Sequence, residues 1–278
     1  MNVQDGKQAA SIPLTNMAQS SAEGVTVATQ APSAPALYSM CVALQCEFDQ
    51  VLQVVQRRFS TSAARQVCRM MPWSLEIGAG VEAADDGVEM ALGKAPCFNV
   101  LQVEGVLLSE PLLRSLGACR QLKVVRFSQV TTNPVGLALL AGLLRTSCSL
   151  HALELSQMRI GDAECATLCQ GVYESRNLRR LIMWDAEVSD NGAVALAKVL
   201  EANKSLEALV LDVNSIEPRG ACAIGDALKT NKRLRVLQLE SNQVGPAGTD
   251  SFARSLVINS SLRVLHLERN GIGDDGAV

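Results

Sequence analysis

The sequence predicts an α/β solenoid, in which short strands and helices alternate along an extended array. Two observations predict it. The first is a set of leucines that stand 28 residues apart and open the same apolar phrase: Leu122, Leu150, Leu178, Leu206, Leu234 and Leu262. The second is an apolar pattern of helical spacing after each phrase. A fixed period of this length indicates stacked supersecondary units, each of which buries its apolar face against its neighbours.

The N-terminal third is expected to differ from the array. Residues 1–35 are rich in Ser, Ala, Gln, Thr and Pro and have little to bury, so we expect a disordered segment. Residues 36–97 are interpreted as a helical cap region, because apolar residues recur at helical spacing between Leu37 and Val55. Its last part, 72–97, shows no clear period and is expected to be irregular. Such a cap would cover the apolar face of the first repeat.

The array is assigned to residues 98–278, starting with a short degenerate repeat at Phe98 and ending in an incomplete one. In each phrase the leucines at the first, fourth and sixth positions point inward from a strand, as in Leu234, Leu237 and Leu239, and the residues between them point outward. The ninth position of the later phrases carries an asparagine that can bond the turning backbone. These asparagines are Asn214, Asn242 and Asn270; the earlier phrases have Val130, Met158 and Ala186 there.

A helix is predicted after each turn. An Asp or a Pro stands at one equivalent position and suits a helix start. Inward packing is expected from residue pairs spaced i, i+4. The pairs are Leu140 and Leu144, Leu168 and Val172, Leu196 and Leu200, Ile224 and Leu228, and Phe252 and Leu256. Asn203, Asn231 and Asn259 are expected to end three of these helices in the left-handed conformation.

These phrases, together with IGDDGA at 272–277 and ALKTN at 227–231, resemble the leucine-rich repeat in its ribonuclease-inhibitor subtype. The pattern most resembles the repeat arrays of NOD-like receptors. The resemblance covers 122–278 strongly and 98–121 weakly. It implies a horseshoe with a parallel β-sheet on the concave face and helices on the convex face.

Several function classes are disfavoured. The net charge of −3 is unlike that of a protein that coats phosphate backbones, so we expect no nucleic-acid partner. The string Gly87 to Ala95 fails the phosphate-loop spacing, and two histidines give no metal or triad arrangement. We therefore expect no enzyme and no cofactor. The absence of a membrane-length apolar run or a secretory signal favours a cytoplasmic protein, in which the cysteines, such as Cys165 and Cys169, are buried hydrophobes.

The candidate site is the concave face. Its outward positions include Arg126, Glu154, Ile182, Trp184, Asp185, Val210, Asp212, Gln238, Glu240, His266 and Glu268. Trp184 with Ile182 and Val210 forms an apolar centre, bordered by acidic residues. Aromatic anchors with charged rims are typical of protein-binding surfaces. The sequence thus predicts a non-catalytic scaffold that binds a protein partner.

Two alternatives remain open. A GTPase regulator resembling the Ran activators would need an exposed arginine near the start of the array, for which Arg126 is a candidate. An inhibitor of a basic enzyme, such as a ribonuclease, would suit the acidic residues. The last repeat stops at Val278, so we expect further sequence to cover that edge or a partner, which could be another copy of the chain, to stack on it.

Overall fold

The computed structural model describes residues 98–274 except 106, 107, 109 and 121, and the segments 25–29, 39–40 and 73–77. The strands are β1 (Val25–Thr29), β2 (Ser39–Met40), β3 (Trp73–Ile77), β4 (Phe98–Glu104), β5 (Val124–Ser128), β6 (Ala152–Ser156), β7 (Arg180–Ile182), β8 (Ala208–Val210), β9 (Val236–Gln238) and β10 (Val264–His266). The helices are α1 (Glu110–Ala118), α2 (Pro134–Thr146), α3 (Gly161–Glu174), α4 (Asp190–Ala202), α5 (Pro218–Thr230) and α6 (Gly245–Leu256). None of these helices is long and apolar enough to span a bilayer.

The strands form one sheet in the order β10-β9-β8-β7-β6-β5-β4-β3-β1-β2. From β3 to β10 each strand is parallel to its neighbour, and β1 pairs with β3 in the antiparallel sense. From β5 onward, residues 28 apart lie side by side, as Leu153 does with Leu181 and Leu181 with Leu209. The helices pack on their sequence neighbours in the same succession. The predicted α/β solenoid, with its sheet on the concave face and its helices on the convex face, is therefore confirmed.

The N-terminal strands differ from the expectation for that region. β1 lies inside the segment expected to be disordered, β2 lies inside the region expected to be helical, and β3 lies in the part expected to be irregular. Trp73, Leu75 and Ile77 alternate with polar residues, which is the period of a strand. β3 pairs with the outer edge of β4, whose backbone groups would otherwise be unpaired on that side. Apart from 39–40, the helices predicted between 37 and 71 lie outside the described residues.

Four of the five predicted helical pairs are buried in one continuous core. The fifth prediction is wrong in part: Phe252 is buried, but Leu256 is 41% exposed. Its equivalents Leu200 and Leu228 are covered by the next helix along the array. No helix follows α6 in the described part of the chain, so nothing there covers Leu256.

The ninth-position asparagines bond the backbone between repeats, as predicted. The Asn242 amide nitrogen donates to the carbonyl of Leu211 in the preceding repeat at 2.9 Å, and its oxygen accepts from the Ile216 N–H at 3.0 Å. Asn214 and Asn270 make the equivalent bonds. Where Ala186 stands instead, its carbonyl accepts from the N–H groups of Ile160 and Gly161, so the backbone itself satisfies that turn.

The second set of asparagines corrects the sequence prediction. Asn203 and Asn231 follow their helices with extended backbone, at φ −68° and φ −69°, not in the left-handed region. Their side chains explain why asparagine is needed. The Asn203 amide nitrogen donates to the carbonyls of Val172 and Ser175 at 2.7 and 2.9 Å, and its oxygen accepts from the backbone N–H of the residue that opens the next phrase, Leu206, at 2.8 Å. These amides tie each helix end to the preceding repeat.

Two helix starts are also bonded across repeats. The Asp162 carboxylate of α3 accepts from the backbone N–H of Ser189 at 2.8 Å and of Gly192 at 3.0 Å, which caps α4. Asp190 does the same for α5 through Gly220 at 2.7 Å. Burial acts to raise the pKa of Asp162, but the hydrogen bonds from Ser189 and Gly192 together hold it below its ordinary value.

Candidate protein-binding surface

The in-register sheet places all of the predicted site residues except Asp185 in two parallel rows. The middle row runs through the strands and consists of Arg126, Glu154, Ile182, Val210, Gln238 and His266. The end row lies two residues further along each repeat and includes Trp184, Asp212, Glu240 and Glu268. Neighbours within a row are about 4.8 Å apart, because that is the spacing of paired strands.

The middle row changes character along the array. Arg126 Nε donates to Glu154 Oε2 at 2.7 Å, so these two charges pair with each other. Ile182 and Val210 come next and are half-buried side by side. Gln238 Nε2 lies 3.2 Å from His266 Nδ1. The row thus has an apolar centre with polar residues on both sides.

Trp184 stands just beyond the end of β7, in a turn and not in the strand itself. Its carbonyl accepts from the Gln157 N–H at 2.9 Å, which holds the turn to the preceding repeat. Trp184 is 37% exposed, whereas the inward leucines of the neighbouring strands, Leu181 and Leu209, are fully buried. Val213, in the adjacent repeat, is 39% exposed and has φ +57°.

The end row becomes acidic after Trp184. Asp212, Glu240 and Glu268 occupy equivalent positions of three successive repeats, and Asp212 Oδ1 accepts from the Glu240 N–H at 2.7 Å. Burial raises the pKa of Asp212, and the charges of Glu240 and Glu268 act in the same direction, whereas the Glu240 N–H and His266 oppose it. Arg269 reaches Glu240 at 3.6 Å. Burial is thus the main reason that the pKa of Asp212 is raised, and the two neighbouring carboxylates add to it.

Asp185 does not belong to either row. It follows Trp184 in the turn at φ +52° and donates its N–H to the Asp212 carbonyl at 3.1 Å. The same left-handed position recurs every 28 residues, at Gln129, Gln157, Asp185, Val213, Ser241 and Arg269. Asp185 thus lies beside the acidic residues but belongs to the turn.

Two features of this face were not predicted from the sequence. One is Val213, an exposed apolar residue next to the aromatic centre. The other is a row at the second position of each phrase, where the chain enters the sheet: Lys123, His151, Arg179, Glu207, Arg235 and Arg263. Both follow from aligning the 28-residue units column by column, because each column becomes a row in space.

The described residues contain no cluster of three or more His, Cys, Asp or Glu side chains that could hold a metal. Cys165 and Cys169 are buried in the core, as predicted. The pKa of the Cys165 thiol is raised, first by its hydrogen bond with Cys169 and then by burial. A thiol of raised pKa is a poor nucleophile at neutral pH. Cys165 therefore serves packing, and Cys169 is buried in the same core.

Comparison with known proteins gives one family match, to the Leucine Rich repeat, over residues 259–278. No curated protein matches the chain. Among solved structures, leiomodin-1 actin-binding site 2 is 21% identical with a TM-score of 0.44, covering 46% of this chain and 76% of that one. The tropomodulin C-terminal domain of Caenorhabditis elegans is 15% identical with a TM-score of 0.44, covering 47% of this chain and 81% of that one. Taken with the 28-residue register of the sheet, the family match identifies the fold of this chain as a leucine-rich-repeat solenoid.

Proposed function

We propose that this chain is a non-catalytic scaffold that binds a protein partner on the concave face of its repeats. The observation that carries the proposal is the exposure of Trp184 beside Ile182 and Val210 on a rigid sheet. A rigid aromatic side chain contributes large contact area at a low entropic cost, and such residues dominate the energy of protein interfaces. The sheet around it is held by inter-repeat hydrogen bonds, so little ordering is required on binding.

The repeats further support assignment to the ribonuclease-inhibitor subtype, with an arrangement like that of NOD-like receptor arrays, through their uniform period and paired asparagines. We also propose a cytoplasmic location, since the buried thiols Cys165 and Cys169 fit a reducing compartment. The acidic residues favour inhibition of a basic enzyme as the second candidate. The GTPase-activating alternative is less well supported, because Arg126 is paired with Glu154 at 2.7 Å.

Site-specific photocross-linking tests the scaffold role. A benzophenone amino acid replaces Trp184 on the concave face or, as a control, Tyr173, which is 54% exposed on α3. We expect a defined adduct from position 184 that is absent from position 173, and identification of the adduct by mass spectrometry gives the partner.

A second experiment checks that the adduct reports binding. Recovery of the identified partner on immobilised chain should fall at least tenfold for Trp184→Ala/Glu240→Lys and should be unchanged for Tyr173→Ala. Equal recovery by all three proteins would show that the concave face is not the binding surface.

A further inference from the structure

The concave face is electrically polarised across the strands. At the entry ends of the strands lies a row that we name the basic row, which consists of Arg179, Arg235 and Arg263. Glu207 lies between Arg179 and Arg235 in this row. Its carboxylate accepts hydrogen bonds from Arg179 at 2.7 Å and from Arg233 at 2.9 Å. Two arginines on one carboxylate leave that position with net positive charge. At the exit ends, Asp212, Glu240 and Glu268 form the acidic row.

The two rows leave a lane between them. Arg235 and Glu240, like Arg263 and Glu268, are five residues apart along the chain, which corresponds to about 17 Å in extended backbone. Between these charged pairs the floor of the lane consists of Gln238 and His266, and the apolar pair Ile182 and Val210 continues the same row in the two preceding repeats, with Trp184 beside it. An α-helix with its side chains is about 10–12 Å wide, so it fits in this lane with room for charged side chains on both edges.

The spacing within the acidic row favours a helix over an extended segment. Its carboxylates recur about every 4.8 Å, the distance between strands. Side chains three or four residues apart on one edge of a helix recur about every 5.4 Å, which is one helical turn. Over three repeats this spacing nearly matches the spacing of the carboxylates. Same-face side chains of an extended segment recur about every 6.6 Å and fall out of register.

We propose that the protein partner presents an amphipathic α-helix to this face, an inference that rests on the function proposed above. The helix lies across the strands and carries Lys or Arg along the edge that faces Asp212, Glu240 and Glu268. Its apolar stripe rests on Ile182, Val210 and Trp184. Its opposite edge carries acidic residues that face Arg235 and Arg263. Lysine or arginine side chains on that edge supply charge of opposite sign to the three carboxylates of the acidic row.

The test uses three synthetic helical probes. Each is an 18-residue fluorescein-labelled peptide, stapled by a lactam on its outer face so that binding is not limited by folding. The first carries a leucine stripe with lysines on one edge and glutamates on the other. The second has glutamine in place of every lysine, and the third is a scramble of the first. We expect the first to bind at least tenfold more tightly than the other two by fluorescence anisotropy.

Paired charge reversals locate the binding. Glu240→Lys/Glu268→Lys and Arg235→Glu/Arg263→Glu should each weaken the first probe at least tenfold. Glu174→Lys/Glu201→Lys, which makes the same charge change as the first pair on exposed residues of α3 and α4, should leave binding unchanged. Raising NaCl from 50 to 300 mM should weaken the first probe more than the second, because rim charges are screened by salt.

Equal binding of the first probe and its scramble, or equal effects of all three variant pairs, would overturn the helix proposal. The scaffold proposal would be untouched by that result if position 184 still cross-links a partner. Conversely, selective binding of the first probe without any adduct from position 184 would count against the scaffold proposal alone.

Discussion

The side-chain amide of Asn203 donates to the carbonyl of Val172, 31 residues earlier, at 2.7 Å. Asn231 repeats the bond to Leu200 at 2.6 Å, and Asn259 repeats it to Leu228 at 2.6 Å. All three asparagines are buried. Each one satisfies polar groups of two adjacent repeats, which a helix end could not satisfy by its own backbone.

Replacing Asn203 by alanine should therefore destabilise the array strongly. Asn203→Ala leaves the carbonyls of Val172 and Ser175 and the N–H groups of Ser205 and Leu206 without this partner. We expect a loss of about 3 kcal/mol in the free energy of unfolding, measured by urea denaturation, since each unsatisfied buried group costs about 1–3 kcal/mol. Gln170→Ala, on the exposed side of α3, is the control and should change stability by less than about 0.5 kcal/mol. Similar losses for both variants would contradict the role of the buried amide.

Asp162 should make stability depend on pH in the acid range. Its pKa is lowered in the folded chain, so its contribution is present above its unfolded pKa of about 3.9 and is lost as pH falls through the folded pKa. The difference in unfolding free energy between the wild type and Asp162→Asn should be largest at neutral pH and should shrink below pH 4. Urea titrations between pH 2.5 and 7 measure it, and a difference that does not vary with pH would refute the assignment.

Val213 should be a site of stabilisation. A β-branched residue at φ +57° is strained, because the left-handed region costs an L-residue about 1–2 kcal/mol and Asn tolerates it better. Val213→Asn should raise the free energy of unfolding by about 1 kcal/mol. Val135→Asn removes another exposed valine, this one from helical backbone in α2, and should not raise it. Thermal or urea unfolding gives both values; a loss of stability in Val213→Asn would show that the valine side chain contributes more than its backbone costs.

Two glycines should respond oppositely to alanine. A Cβ on Gly171 would meet the backbone of Ala141, 2.7 Å from its Cα, so α2 and α3 would have to separate. We expect Gly171→Ala to cost at least about 2 kcal/mol. A Cβ on Gly142 meets nothing within 4 Å, so Gly142→Ala in α2 should stabilise by up to about 1 kcal/mol through helix propensity. The same sign for both variants would mean that the helices can move apart at little cost.

The parts of the fold that were predictable are those that repeat. Leu153, Leu181 and Leu209 lie side by side in the sheet because their 28-residue spacing becomes lateral register. Trp73 to Ile77 was missed because it occurs once, and a single alternating stretch is a weak signal. Leu256 was misassigned because burial depends on the next unit as well as on the residue itself.

The candidate surface was predictable as a set of positions but not as a pattern of charges. Outward positions follow from strand alternation, so Ile182 and Val210 could be identified as neighbours. The pairing of Arg126 with Glu154 depends on side-chain reach across two strands, which the sequence does not specify. The shape of the turn at Trp184 depends on a hydrogen bond that the Gln157 N–H of the preceding repeat donates to the Trp184 carbonyl.

The asparagine cross-ties have a consequence for how the protein comes apart. Each amide bonds the backbone of two adjacent repeats. Separating any two neighbouring repeats would therefore leave polar groups of both repeats without hydrogen-bond partners. Such an array should unfold cooperatively instead of fraying from one end. Removing one repeat should therefore lower the melting temperature of all the remaining repeats.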